Sequence, residues 1–173
     1  MYNKNGNNRD NNFWNDIDKN LNSIINEDKY YIKKYNGKDK NIIGFYIKAI
    51  EISNDELKLA VTKQLEKLKK YCEDNNIQKM NIYIDTTDNG NAFEQLKNDI
   101  NNQEIQRIVC TSVSKLSRNL KEICNLMEVA ESKDVEIVTL DSGIINSLTA
   151  YGWLAKEEYD YSEIQEDEDE MFY

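Results

Sequence analysis

Four short apolar runs recur between segments of helical periodicity, and this alternation restricts the chain more than any other feature. The runs are IIGFYIKAI (42–50), KMNIYID (79–85), IQRIVCTS (105–112) and VEIVTLD (135–141). Each is short and rich in Ile, Val or Tyr, as a buried strand is. After the first run, SNDE (53–56) reads as a capping box. Ser53 would accept a backbone N–H, and Glu56 would reach back. Leu57, Val61, Leu65, Leu68 and Cys72 then follow at helical spacing, to about Asn75. The turn DNGN (88–91) precedes a shorter helical pattern, Phe93, Leu96 and Ile100. Leu116, Leu120, Ile123, Met127 and Ala130 mark a third helix between the last two runs. Strands apolar on both sides and separated by helices form a parallel sheet covered on both faces. With right-handed crossovers, the expected fold is a three-layer α/β/α domain with a mostly parallel sheet of four or five strands.

This domain spans residues 41–145. Residues 1–40 read as a polar extension carrying one amphipathic helix over 13–25, with Phe13, Trp14, Ile17, Leu21, Ile24 and Ile25 on one side. That helix either packs back on the domain or offers a docking face to a partner. Residues 1–12 are polar and expected to be disordered. KYYIKKY (29–35) suggests a short extended piece within a charged linker. Residues 146–173 read as a short helix through Leu148, Tyr151 and Leu154, followed by an acidic tail.

The net charge of −10 is unevenly spread: +2 over residues 1–40, −4 over 41–144 and −8 over 145–173. DNA binding rests largely on neutralising phosphates with Lys and Arg, so the acidic end argues against this chain gripping DNA by itself. No apolar run reaches the roughly 20 residues of a membrane span, and no signal-peptide core is visible. Cys72, Cys110 and Cys124 are odd in number and sit in apolar patterns, which suits reduced, buried thiols and a cytoplasmic setting. The chain has no histidine, which removes the commonest general base and metal ligand. No cofactor or metal motif stands out, and none is expected.

In parallel sheets of this kind, ligands bind off the carboxyl ends of the strands. The most cationic of these ends is Ser112–Arg118, which holds Ser112, Ser114, Lys115, Ser117 and Arg118. It is neither GxGxxG nor GxxxxGK[ST]. Lys115 and Arg118 are candidates for an anion site, or else form a solvated helix start.

Taken in order, these pieces resemble the catalytic domain of the serine recombinases: resolvases, invertases and large serine integrases. GFYIKAI (44–50) resembles the family's first strand, Y-I-R-V-S. KQLEKLKKYCEDNNI (63–77) resembles its first helix, and IYID (82–85) its second strand. VSKLSRNLKE (113–122) resembles the D-R-L-S-R loop with the helix after it, and LDSGI (140–144) the D-S-G-I end of the fourth strand. The resemblance covers residues 42–144. It implies a first-strand serine that attacks DNA and arginines that hold the scissile phosphate. Here the nucleophile position falls on Ile50, and the first arginine on Lys48. The loop reads Ser114, Lys115, Leu116, Ser117, Arg118, so its first arginine is a lysine and its second is kept. The arginine expected before the helix of Phe93, Leu96 and Ile100 falls near Gly90 or Asn91 and is missing. The helix glutamine is kept as Gln64. Isoleucine has no hydroxyl and cannot form a phosphoester. Lysine for arginine at a phosphate clamp gives up the bidentate fork.

Two functions from different classes follow. The first is a catalytically inactive recombinase-like domain, retained as an accessory or regulatory binding protein, for example in a mobile element. Its partner would be a true recombinase or a second copy, with DNA reached weakly or through that partner. The second is an active divergent recombinase or nickase using Ser53, with Lys48, Lys115 and Arg118 on the phosphate; Gln64 is a further candidate for anion binding. That register places Glu51 at an essential arginine, whereas a plain helix cap explains Ser53 without cost. Ser112 and Ser114 are weaker nucleophile candidates, with loop hydrogen bonding as the alternative. Asp141 and Gly143 read as the turn that ends the fourth strand.

Overall fold

The computed structural model describes residues 5–37, 41–51 and 53–171, with side chains over 12–37, 41–51 and 53–160. The four apolar runs become β2 (Ile43–Lys48), β3 (Met80–Asp85), β4 (Arg107–Cys110) and β5 (Glu136–Thr139). They pair in parallel in the order β3-β2-β4-β5, with β2 central. Among the described residues the sheet has six strands rather than four or five. β1 (Tyr30–Lys33) lies antiparallel beside β3, and β6 (Gly143–Ile145) antiparallel beside β5. β1 is the extended piece suggested by KYYIKKY. β6 corrects the reading of 141–144 as a bare turn: Ser142 N–H bonds Thr139 Oγ1 at 3.2 Å and Gly143 takes φ +77°, so the chain folds straight back as a hairpin. Both edge strands are short, and their stability comes from a neighbour that local sequence does not show.

The helices are α1 (Asn5–Ser23), α2 (Asn54–Asp74), α3 (Asn91–Asn101), α4 (Val113–Leu116), α5 (Leu120–Ser132) and α6 (Ser147–Met171). Alternating strand residues divide the core. Tyr46, Tyr83, Ile108, Cys110 and Ile137 face α3, α5 and the start of α6. Phe45, Ile47, Ile82, Val109 and Val138 face α1 and α2. Three layers result, as the period-two strand pattern requires.

α1 docks on the domain: Trp14, Ile17, Leu21, Ile24 and Ile25 are buried, and the Trp14 ring lies 6.4 Å from Phe45. It starts at Asn5, inside the stretch expected to be disordered, because a docked half-helix lowers the cost of adding turns upstream. The first four residues of that stretch lie outside the described ones. A single π-helical turn, Ile24–Asp28, ends α1 and delivers the chain to β1. At the other end, α6 is one 25-residue helix where the sequence suggested a short one. Among the described residues, no helix is long and apolar enough to cross a membrane.

A buried polar network ties β1's end to the domain. Asp99 on α3, 1% exposed, accepts from Lys34 Nζ at 2.9 Å, from Gln95 Nε2 at 2.9 Å and from the Tyr83 hydroxyl. The Tyr35 backbone N–H donates to Asn81 Oδ1 at 2.7 Å beside it. Burial alone would raise the Asp99 pKa, but the bonds from Tyr83, Lys34 and Gln95 outweigh it and hold the carboxyl below its usual value. A depressed carboxylate pKa stabilises the fold above the unfolded value, near 3.9, and that share is lost as pH falls through the folded value. Asp99→Asn is therefore expected to cost about 1–3 kcal/mol at pH 7. The urea midpoints of the two proteins should converge below about pH 4.

Candidate functional site

A cleft of about 630 Å³ opens beside the carboxyl end of β2. Its walls are Lys48, the β3–α3 loop Asp88–Gly90, the α3 side chains Phe93, Glu94 and Lys97, and the α4–α5 connection Ser117–Asn119 with Glu122. The floor is apolar, with Tyr46, Leu116, Ile123 and Leu126.

Local chemistry explains how these pieces arrive. β3 ends on Asp85, which is 1% exposed. Its carboxylate accepts the Tyr46 hydroxyl at 2.8 Å and the backbone N–H groups of Ala92 and Phe93 at 2.9 and 3.0 Å. The N-cap of α3 is Gly90, at φ +64° and without a side chain, so Asp85 satisfies two of the free amides of the first turn. Burial first, then the Asp85 carboxylate, drives the Tyr46 phenol far above its ordinary range. It stays a neutral donor. After β4, the short α4 is followed by Ser117 in extended backbone, and Asn119 caps α5 by accepting the Lys121 N–H at 2.9 Å.

The charges lining the cleft are three of each sign. Lys48 faces Asp88 at 3.7 Å, and Lys97 pairs with Glu94 at 2.6 Å. Arg118 is exposed and has no ion pair or side-chain hydrogen bond among the described residues. Glu122 accepts the Ser117 hydroxyl at 2.6 Å. The cleft thus offers one uncommitted cation and two that an anion would share with a carboxylate.

The structure brings only part of the expected set together. Lys48 and Arg118 line the same cleft. Lys115 is half-buried on α4 but is not among the lining residues. Gln64 is buried on α2, on the other side of the sheet, and its Nε2 donates to the Lys48 carbonyl at 2.9 Å and the Ala60 carbonyl at 3.4 Å. Its Oε1 is buried without a partner. Gln64 therefore fixes the end of β2 rather than reaching into the cleft. Ile50 lies two residues past the end of β2 and is 40% exposed. Ser53 is the N-cap of α2: its Oγ accepts the Glu56 N–H at 3.2 Å. The hydroxyls of Ser112 and Ser114 lie 3.0 Å apart and bond each other. Asp141 and Gly143 belong to the β5–β6 hairpin. Cys110 is fully buried, and burial, helped by Asp141, pushes its thiol up to about 12, so it is inert at neutral pH.

Sequence reasoning missed the cleft role of Phe93, Glu94, Lys97 and Glu122. The Phe93–Lys97 and Glu94–Lys97 spacings are visible as helix-face pairs, with Lys97 Nζ 5.3 Å from the Phe93 ring centre. Nothing local shows that this face meets Arg118. Ser53→Ala should behave as the loss of a cap, lowering stability by about 1 kcal/mol in a urea titration.

Three comparisons bear on this geometry. The family model described as the resolvase N-terminal domain matches residues 52–157. That span starts after β2 and after Ile50. The N-terminal catalytic domain of TP901-1 integrase superimposes with a TM-score of 0.54 at 24% identity, over 77% of this chain and 100% of that one. A resolvase family site-specific recombinase from Streptococcus pneumoniae gives 0.55 at 16% identity, over 73% of this chain and 95% of that one. At these identities the solved structures speak for the fold alone, and no curated protein sequence matches. The family model covers more than half of the residues, and β2 to β5 carry the expected topology. The chain belongs to the resolvase N-terminal-domain family, the serine-recombinase domain of site-specific DNA recombination.

Proposed function

We propose that this resolvase-type domain does not cut DNA and serves recombination as an accessory or regulatory binding protein. The observation that carries the reading is Ile50. The position that the family resemblance aligns with the nucleophile holds a branched hydrocarbon, exposed just past the end of β2, and it has no hydroxyl to form a phosphoester. The serine hydroxyls of the candidate loops are already engaged. Ser53 caps α2, Ser112 and Ser114 bond each other, and Ser117 bonds Glu122. Lys48 and Arg118 keep a remnant of a phosphate clamp, but Lys48 shares its charge with Asp88. The partner is a recombinase or a second copy of this chain, and DNA is met weakly or through it. The competing reading, a divergent recombinase or nickase attacking through Ser53, needs a hydroxyl that already accepts a backbone amide.

The test traps covalent intermediates. The purified protein is incubated with end-labelled random genomic DNA fragments and quenched with SDS, and protein-linked label is counted on a denaturing gel. No linked label above background is expected. A linked species that disappears in Ser53→Ala or Ser117→Ala would overturn the proposal.

A further inference from the structure

Three Asn–Gly pairs occur in the sequence, at 5–6, 36–37 and 89–90. Asparagine is chemically labile, and most so before glycine, because no Cβ holds the following amide nitrogen away from the asparagine side chain. The pair at 5–6 lies in helical backbone at the start of α1, a fixed conformation unsuited to ring closure. The pair at 36–37 is crowded: a Cβ on Gly37 would stand 2.5 Å from the Tyr35 ring. The pair at 89–90 meets neither constraint. Asn89 is exposed in the β3–α3 turn, and its side chain has no hydrogen bond among the described residues. Gly90 stands just outside α3 as its N-cap, at φ +64°, and a Cβ there would meet no atom beyond its chain neighbours nearer than 3.9 Å. The Gly90 carbonyl accepts the Glu94 N–H at 2.9 Å, but its own N–H has no partner among the described residues. The positive end of the α3 dipole lies at that nitrogen and favours loss of its proton.

We propose that Asn89 is a modification site, at which the folded chain deamidates spontaneously and isomerises to isoaspartate. The Gly90 nitrogen, its proton given to solvent, attacks Asn89 Cγ. The new N–C bond closes a five-membered succinimide, and the side-chain nitrogen leaves as ammonia. Water then opens the ring. Breaking the nitrogen's bond to Cγ gives aspartate at 89 in an ordinary main chain. Breaking its bond to the former backbone carbon gives isoaspartate, with the main chain rerouted through Cβ and Cγ. Either product adds one carboxylate to the cleft wall that Asn89 shares with Lys48 and Asp88. The three cations of the cleft then face four carboxylates, and Lys48 has a second acid beside it. Isoaspartate does more, because it lengthens the main chain by one carbon directly before α3. The first turn of α3 is held by Asp85 through the amides of Ala92 and Phe93, and the longer link pulls those amides out of register. None of this depends on whether the domain cuts DNA.

The test ages the full chain at neutral pH, folded and in urea, and follows the fragment cleaved after Lys79 and Lys97 by mass spectrometry. In the folded sample the Asn89 amide is expected to be lost, while Asn81 and Asn91 of the same fragment keep theirs. Asn81 is buried and bonded to Tyr35 and Tyr83, and Asn91 begins the helix. An isoaspartyl carboxyl methyltransferase should methylate the aged fragment, and Asn89→Gln should abolish both signals. Retention of the Asn89 amide in the folded chain, over a time in which the urea-unfolded chain loses it, would show that the fold protects the site and would overturn the proposal. Amide exchange reads the consequence. Residues 92–95 of the aged chain should exchange at least about tenfold faster than in Asn89→Asp, which adds the charge without the extra carbon. Equal exchange in the two, or the same acceleration in aged Asn89→Gln, would overturn the link between isoaspartate and α3.

Discussion

Replacing Asp85 by alanine is expected to cost about 3–5 kcal/mol, among the largest losses any single change in this chain should produce. Three donors converge on this one carboxylate: the Tyr46 hydroxyl and the amides of Ala92 and Phe93. All three residues sit at or near the wall of the cleft, and Tyr46 and Asp85 are both about 1% exposed. Alanine leaves a buried phenol and two helix-start amides without an acceptor, and water reaches them poorly. The damage is also positional. α3 would lose the group that holds its first turn, and with it the placement of Phe93, Glu94 and Lys97. Asp85→Asn keeps the shape and one acceptor oxygen and should lose less. The check is a pair of denaturant titrations, with amide exchange of residues 91–97 as the local readout. If alanine costs less than about 1 kcal/mol, the carboxylate does not organise the cleft.

Trp14→Ala should cost about 3–5 kcal/mol as well, by removing the largest anchor between α1 and the sheet. The Trp14 indole is 6% exposed, lies edge-on to Phe13 at 5.3 Å and packs near Phe45 on the central strand. Behind it, Ile17, Leu21 and Ile24 continue the seam. Because α1 leads through the π-helical turn into β1, a loosened helix should also raise exchange in Tyr30–Lys33. Faster exchange confined to residues 5–33, with the parallel strands unchanged, would show the extension opening as its own unit. A loss below about 1 kcal/mol with unchanged exchange would mean that α1 adds little to the domain.

The candidate site was legible only in part. Arg118 was singled out at the end of a strand and Lys48 through the family resemblance, and they do line one cleft. Gln64 and Ser53 carry side chains that suit a phosphate site equally well. What removes them from it is a backbone carbonyl for the first and a helix amide for the second. Such partners are chosen by the exact path of β2 into α2. The pairing of Lys48 with Asp88 and Lys97 with Glu94 likewise depends on loop positions that no residue pattern encodes.

Local patterns in the sequence determined β2, β3, β4 and β5, and the helices α2, α3 and α5. The reason is that period-two and period-3.6 burial act within one segment and leave their mark there. That position 50 holds an isoleucine, which carries no hydroxyl, is also a matter of sequence alone. Tertiary structure decided the rest. β1 and β6 exist because a neighbouring strand supplies hydrogen bonds that their own few residues cannot. Asp85 and Asp99 became anchors because folding surrounds each with donors drawn from distant parts of the chain. Leu148 and Tyr151 lie on the exposed side of α6, and Ala150 on the buried side, because α5 covers one face and leaves the other open.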